Sequence, residues 1–423
     1  MVKKPAKKIF AINLRALFHL KPPAKRFVFA PKCKTALYAP RRFVNFVGFI
    51  TVVMLARILY IMKICVYAIA KNEEMFVERW AQSMREADEI VVLDTGSTDE
   101  TVNKLVDCGV KVKVKRHSFF RFDIARNESL SLIPPDTDIC VCTDLDEVFE
   151  RGWREKLERA WSCGTTRLRY RYVWSHLSNG ADGVQFYGEK IHAYGAYSWV
   201  YPVHEVLRFD NDFALPEKTV TADNLVLHHY PNERKSRSNY LPLLQLSARE
   251  NPLCDRTAHY LGREYMFHHR YDDAISALKR HLSLKSATWV EERIASMRYI
   301  ARCYEHKGDY ISAERWFLTA VSQSVPSREA WVDYANFLFC LKDYDGVIFA
   351  CSRALTITEK RLNYITDPVA WGERVFDLLS LAYYFVGDYQ KAVQNGEIAL
   401  SICPDDRIKT NLFYFNRALK NSE

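Results

Sequence analysis

A short phrase recurs four times in the C-terminal half of the chain and limits what that half can fold into. In each copy a charged residue is followed by a tyrosine and then by an apolar stretch; the tyrosines are Tyr271, Tyr310, Tyr344 and Tyr389. Another apolar stretch with a small residue precedes each copy, as in Tyr260-Leu261-Gly262. Because small residues let two helices pack closely, the pattern predicts antiparallel helical hairpins over residues 233–423.

The spacing of the phrase indicates the kind of hairpin. The four tyrosines are 39, 34 and 45 residues apart, and the phrases resemble tetratricopeptide repeats, whose period is about 34 residues. The two longer intervals imply insertions, so we expect an irregular array. An ordinary helical bundle is the alternative that the pattern leaves open.

Residues 62–232 have a different period. Short apolar runs such as 63–70, 89–93 and 138–142 alternate with helical stretches, which predicts βαβ units and a parallel sheet buried on both faces. After Trp161, aromatic β-like runs follow one another and predict antiparallel strands added to that sheet. The expected fold class is therefore α/β followed by all-α.

Polar residues follow three of the predicted strands. Asn72 and Glu73 follow the first strand, Asp94 follows the second, and Asp144 and Asp146 follow the fourth. Ligands of open α/β sheets bind at the carboxyl ends of the strands, and a helix N-terminus there favours an anionic group. The last two carboxylates suit Mg²⁺ or Mn²⁺. Taken singly, each motif fits a capped turn or solvated acids equally well.

The order of the motifs is far more specific than any one of them. Along the chain they are Ala-Lys-Asn-Glu at 70–73, Asp-Thr-Gly-Ser-Thr-Asp-Glu-Thr at 94–101, Ala-Arg-Asn at 125–127 and Asp-Leu-Asp at 144–146. This order resembles the nucleotide-sugar domain of family 2 glycosyltransferases, which has the GT-A fold. With the repeats, the chain is similar to a tetratricopeptide-bearing subgroup that includes bacterial peptide S-glycosyltransferases.

The resemblance implies a metal-dependent, inverting hexosyltransferase with a UDP-sugar donor and Mn²⁺ or Mg²⁺ as cofactor. Asp94 would contact the nucleoside base, and Asp144 and Asp146 would hold the metal and diphosphate. The other implied donor-binding residues are Asn72, Glu73, Ser97, Asp99, Arg126 and Asn127.

The acceptor side is less specific. An inverting transferase needs a carboxylate base, and by resemblance we expect Glu205 in His204-Glu205 to be that base, with Asp182 as the other candidate. His228 is the expected third metal ligand. The alternative for each is a structural residue at a strand end. Lys235 and Arg237 are expected to steady the diphosphate.

The net charge of +9 belongs to the N-terminus. Residues 1–61 contain 13 Lys and Arg and no acidic residue, so the remainder carries −4. The borderline apolar run 43–62 has three interpretations: a membrane anchor or interfacial helix, a segment that precedes a true start at Met62, or, least favoured, a nucleic-acid arm. We therefore expect no nucleic-acid partner and leave membrane contact through 1–61 open.

Eleven cysteines include no C-x-x-C pair. Their placement in apolar runs predicts free thiols, a cytoplasmic location and no cysteine zinc site.

Two other functions compete with a transferase. Asp144 to Val148 also fits the D-x-D-x-V motif of haloacid-dehalogenase-like phosphatases, although those enzymes carry it on their first strand. A non-catalytic scaffold with a degenerate sugar-nucleotide domain is the second alternative. In a transferase, the repeats would recruit a protein or peptide acceptor or form a homodimer.

Overall fold

The computed structural model describes residues 62–177, 180–232 and 240–422. The first part of the described chain combines strands and short helices. The strands are β1 (Ile64–Ala70), β2 (Glu89–Asp94), β3 (Lys111–Val114), β4 (Ile139–Cys142), β5 (Glu147–Phe149), β6 (Arg167–Val173), β7 (Gln185–Ala193), β8 (Tyr197–Val200), β9 (Val206–Phe209) and β10 (Thr219–His229). The helices are α1 (Val77–Met84), α2 (Thr101–Asp107), α3 (Phe122–Leu130) and α4 (Trp153–Ala160).

Eight of these strands form one sheet in the order β3-β2-β1-β4-β7-β6-β10-β5, and β8 and β9 form a separate hairpin. The strands β1 to β4 are parallel to one another. From β7 onward antiparallel pairs appear, because β7 runs against both β4 and β6. The prediction of a parallel sheet extended by antiparallel strands is confirmed.

The central strand β1 is apolar throughout because both of its faces are covered. Val66 and Ala68 pack in one core with Trp80 and Trp153, and Tyr67 lies in a second core on the opposite face. The described cysteines are free thiols, as expected, although only half of them are buried: Cys65, Cys140, Cys142, Cys303 and Cys351.

The second part of the described chain is helical. Its helices are α5 (Tyr240–Glu250), α6 (Asp255–Phe267), α7 (Tyr271–Ser283), α8 (Val290–His306), α9 (Tyr310–Val321), α10 (Arg328–Cys340), α11 (Tyr344–Leu355), α12 (Arg374–Phe385), α13 (Tyr389–Ile402) and α14 (Asp406–Ser422). A short 3₁₀ helix, Pro368–Trp371, lies between α11 and α12. The four predicted tyrosines begin α7, α9, α11 and α13, each the second helix of a hairpin, so the predicted tetratricopeptide-like array is confirmed.

The irregular spacing has two visible causes. Helix α8 is 17 residues long, which lengthens the first interval. The segment with the 3₁₀ helix separates α11 from α12 and lengthens the third. Gly262 lies against Leu278, whose Cγ would be 2.5 Å from an added Cβ, which is the close helix contact that the small residue predicted.

None of the helices in the described ranges combines the length and apolarity needed to cross a membrane. The predictions made for residues 1–61, and those for Lys235 and Arg237, lie outside the described residues.

Candidate functional site

One edge of the sheet collects most of the predicted site residues. The carboxyl ends of β2, β1 and β4 are neighbours there. Because β7 is antiparallel to β4, Lys190 of β7 lies next to the carboxyl end of β4, beside Asp144. The last residues of β10 also arrive at this edge, since β10 runs parallel to β6.

Arg126 lies at the centre of the site. It projects from α3, is only 4% exposed, and donates to two carboxylates: from Nη2 to Asp144 Oδ1 at 2.7 Å and from Nε to Glu205 Oε1 at 2.5 Å. Its guanidinium carbon is 5.2 Å from the centre of the Trp199 ring. Burial lowers the pKa of Arg126, but the charges of Asp144 and Glu205 raise it by more, so the pKa lies above its ordinary value. One permanent cation therefore joins both carboxylates.

Asp144 is held ionised by two cations. Its Oδ2 accepts from Lys190 Nζ at 2.9 Å, in addition to the Arg126 contact at Oδ1. Burial opposes ionisation, but the charges and hydrogen bonds of Arg126 and Lys190 outweigh it and hold the Asp144 pKa well below its usual range. The two cations therefore favour the ionised form of Asp144.

Glu147 lies below Asp144 and is fully buried. It accepts hydrogen bonds from Tyr172 Oη at 2.8 Å, from Lys190 Nζ at 3.0 Å and from the backbone N–H of Asp144 at 2.9 Å. Burial raises the Glu147 pKa, Lys190 opposes that rise, and the charges of Asp144 and Asp146 add to it. Glu147 thus fixes the position of the Asp-Leu-Asp turn from within.

Asp146 is paired with an imidazole. Its Oδ2 lies 3.4 Å from Nε2 of His229, and both side chains are mostly buried. Burial lowers the His229 pKa, but the hydrogen bond and charge of Asp146 raise it above its ordinary value. Two carboxylates and one imidazole fit a Mn²⁺ or Mg²⁺ site chemically. The imidazole beside Asp146 is that of His229, whereas the expected ligand His228 points elsewhere.

The Asp94 side chain accepts hydrogen bonds from the turn that follows β2. The side chain is fully buried, and its Oδ1 accepts from the backbone N–H of Gly96 and of Ser97, both at 2.9 Å. Its Oδ2 accepts from the Ser97 hydroxyl. Contact of Asp94 with a nucleoside base stays a prediction.

The loops after β1 and β2 are tied together. Asn72, at a left-handed φ of 54°, accepts from the Thr98 N–H at 2.8 Å and donates its own N–H to Ser97 Oγ at 2.9 Å. Glu73 is buried, and its N–H bonds the Thr101 hydroxyl. Asp99, two residues before α2, accepts from the Thr101 N–H and hydroxyl, and these bonds lower its pKa in spite of partial burial.

Asn127 has a positioning contact. Its amide donates to the Trp199 carbonyl and accepts from the Trp199 N–H, both at 2.8 Å. This pair of bonds fixes β8 to α3, and so places the Trp199 ring over Arg126. The structure thus brings Arg126 into the site and uses the Asn127 side chain to hold the strand beside it.

Glu205 lies in a strained loop between β8 and β9. Two non-glycine residues before it, Tyr201 and His204, have φ of 79° and 51°. Such backbone costs about 1–3 kcal/mol per residue and is found mainly at functional sites. The His204 ring stacks on Tyr260 of α6, with ring centres 4.0 Å apart. The helical array therefore braces the loop that carries Glu205.

Asp182 and His228 lie together farther along the edge. The residue opposite Asp182 in an isolated antiparallel bridge is His176, and His176 Nε2 is 3.1 Å from His228 Nδ1. The structure thus places neither residue in contact with Asp146 or Arg126 among the contacts of the described chain.

Sequence reasoning missed Lys190, Tyr172, Trp199 and His229. Trp199 and His229 lie close to the predicted residues Glu205 and His228 along the chain, whereas Lys190 and Tyr172 stand in ordinary β-like runs. The available signal was a lysine within a predicted strand, since buried lysines are rarely unpaired.

Residues 65–165 match the family described as glycosyl transferase family 2. A comparison with curated proteins returns no match. Among solved structures, a crystal structure of MamA protein is 20% identical and covers 39% of this chain and 82% of its own, with a TM-score of 0.32. MamA 41-end from Desulfovibrio magneticus RS-1 is 14% identical, covers 39% and 85%, and has a TM-score of 0.31. The APC/C hetero-tetramer Cut9-Hcn1 is 15% identical, covers 43% and 33%, and scores 0.36. These overlaps are too partial to carry an argument, and the hairpins described above define the array.

Proposed function

We propose that this chain, whose residues 65–165 form a glycosyl transferase family 2 domain, moves a hexose from a UDP-sugar to an acceptor with inversion at the anomeric carbon. The observation that carries the proposal is the Arg126 bridge. One buried guanidinium joins Asp144, on the motif expected to face the donor diphosphate, to Glu205, the expected base. A donor and an acceptor bound on the two sides of this bridge would be held next to each other.

A divalent ion fits the donor side. Asp146 and His229, with Asp144 beside them, would hold Mn²⁺ or Mg²⁺. When bound, the ion would neutralise charge that develops on the leaving diphosphate. Lys190 and Arg126 place two fixed positive charges next to Asp144, and both would attract the anionic diphosphate.

On the acceptor side, Glu205 would take the proton of the attacking group. The hydrogen bond from Arg126 Nε to Glu205 Oε1 at 2.5 Å orients the carboxylate that would act as the base. The base must approach from the face opposite the leaving diphosphate, and the position of Glu205 on a separate loop from the Asp-Leu-Asp turn supports this arrangement. Because the helical array contacts that loop through Tyr260, we propose that the array presents a protein or peptide acceptor. Homodimer formation through the array stays a prediction.

A donor screen tests the proposal. Purified protein is incubated with Mn²⁺ and a panel of nucleotide sugars, and release of the nucleoside diphosphate is measured. We expect release from a UDP-hexose, and a loss of at least about 100-fold in Asp146→Asn because one charged ligand of the site is removed. Asp212→Asn, at an exposed aspartate beyond β9, is the matched control and should keep full activity.

Three results would contradict the proposal. Full activity of Asp146→Asn would refute the metal assignment. Absence of turnover with every donor, together with no thermal shift by UDP and Mn²⁺, would favour the non-catalytic scaffold, and phosphate release from a small ester alone would favour the phosphatase.

A further inference from the structure

We infer that His176, Asp182 and His228 form a second metal site, for Zn²⁺ or a similar borderline ion, at the rim of the sheet. This site shares no residue with the Asp144, Asp146 and His229 edge. The inference does not rest on the proposed transferase function, because it concerns binding of the ion alone.

The three side chains already have the spacing of a chelating set. One ligand atom from each, two imidazole nitrogens and a carboxylate oxygen, lie within 4.8 Å of one another. His176 Nε2 and His228 Nδ1 are 3.1 Å apart. Two nitrogens bound to a tetrahedral zinc at its usual bond length are separated by about 3.4 Å. Only a small movement would therefore let both imidazoles bind one ion.

The backbone holds these ligands in place. An antiparallel bridge pairs His176 with Asp182 across the connection from β6 to β7, and His228 is fixed in β10 opposite Val173 of β6. The His176 ring also stacks on Tyr230, with ring centres 4.6 Å apart and planes 1° from parallel. An ion here would tie the β6–β7 connection to the end of β10.

Glu150 supplies the outer partner that metal-binding histidines usually have. Its Oε1 lies 3.5 Å from His228 Nε2, and its Oε2 is held by Lys156 at 3.1 Å. If Nε2 carries the proton and faces Glu150, Nδ1 of His228 keeps its lone pair toward His176. A carboxylate in this role fixes the tautomer and strengthens the imidazole as a ligand.

The donor set selects the ion. Imidazoles suit zinc, iron, nickel and copper, whereas Mg²⁺ and Ca²⁺ prefer oxygen ligands throughout. Two histidines and one carboxylate are also the ligand set of zinc sites that keep a fourth position for water. The competing explanation is a plain imidazole–imidazole hydrogen bond, with Asp182 paired to Arg171 at 3.9 Å.

The test uses the full chain and Co²⁺ as a spectroscopic stand-in for zinc. We expect bound cobalt to show the visible absorption bands of a four- or five-coordinate site, without the near-ultraviolet charge transfer of a cysteine ligand. Zn²⁺ should displace the cobalt. His176→Ala and His228→Ala should each weaken binding by more than about 100-fold, and Glu150→Gln by about 10- to 100-fold.

Two controls isolate the site. His268→Ala removes an exposed imidazole that also lies beside a carboxylate, Glu264, and should leave cobalt binding unchanged. Asp146→Asn should also keep the cobalt spectrum, which separates this site from the proposed catalytic metal. Equal binding by folded wild type and both histidine variants would overturn the inference, as would a thiolate spectrum. Circular dichroism checks that each variant is folded.

Discussion

At the scale of single residues, the site depends on a few buried charges that neutralise one another. Arg126 is nearly inaccessible and faces Asp144 and Glu205, while Lys190 faces Asp144 and Glu147. Removing one partner of a buried ion pair costs far more free energy of unfolding than the intact pair contributes. Removal of one of these charges alone should therefore destabilise the fold.

Removing the bridging cation should show this cost. Arg126→Met keeps the bulk of the side chain but leaves Asp144 with Lys190 alone and Glu205 without its cation. We expect a loss of about 3 kcal/mol in the free energy of unfolding, measured by urea denaturation. Arg126→Lys should lose less, because one charge contact survives. A methionine variant as stable as the wild type would show that the bridge contributes nothing to the fold.

At the scale of elements, the recurring phrase has a single backbone explanation. The residue two positions before each tyrosine is left-handed: His269 at 57°, Gly308 at 76°, Lys342 at 61° and Gly387 at 87°. In three copies, the residue between the left-handed position and the tyrosine is an aspartate that caps the following helix. Asp388, for example, accepts from the Lys391 N–H at 3.1 Å. One helix therefore ends and the next begins within three residues.

Two substitutions at this turn should have opposite effects. Lys342→Gly should stabilise the protein by about 0.5–1 kcal/mol, because glycine adopts a left-handed φ without a steric cost. Gly387→Ala should destabilise it by about 1 kcal/mol for the same reason. Thermal unfolding of both variants measures the two changes. Shifts of the same sign would mean that the left-handed turn is not what limits stability at these positions.

At the scale of the whole molecule, the helical array and the α/β region are joined beside the site. Arg121, at the start of α3, donates to Glu250 of α5 at 2.7 Å, and His204 of the Glu205 loop stacks on Tyr260 of α6.

Each region also contains a fully buried histidine, His192 in the sheet and His259 in the array. Burial lowers the pKa of His192 to about 4 and that of His259 to about 3.

These two histidines predict how stability depends on pH. Below the ordinary histidine pKa of 6.5, the unfolded chain binds protons at these two imidazoles, whereas burial keeps both of them neutral in the folded chain. Stability is thus complete above pH 6.5 and falls as the pH drops toward 4. Each histidine contributes up to about 1.4 kcal/mol per pH unit. His259→Asn, which can keep the bond to Ser296 Oγ, should make the decline shallower in urea denaturation across this range.

The control for this prediction is an exposed histidine. His268→Asn should leave the slope of stability against pH as it is in the wild type, because the His268 side chain is 43% exposed and is not buried on folding. An unchanged slope in His259→Asn would contradict the assignment of the acid sensitivity to this buried group.

The period of each half and the acids at the strand ends are features of the local sequence. Apolar periodicity and turn chemistry are local, so the hairpins, the parallel strands and the positions of Asp94, Asp144 and Asp146 could be predicted from the residues alone. The side chains that contact these acids come from distant parts of the chain and depend on long-range strand pairing. Lys190 arrives from an antiparallel strand whose neighbour no local pattern specifies.

His228 and His229 show most directly why local sequence could not identify the side chain that contacts Asp146. Side chains alternate between the faces of a strand, so a small shift of register exchanges the roles of His228 and His229. A bulge in β10 between Ala222 and Val226 makes such a shift. It directs His229 to Asp146 and His228 to His176. Sequence could place an imidazole at this edge, but register, which long-range pairing decides, determined which one faces the acids.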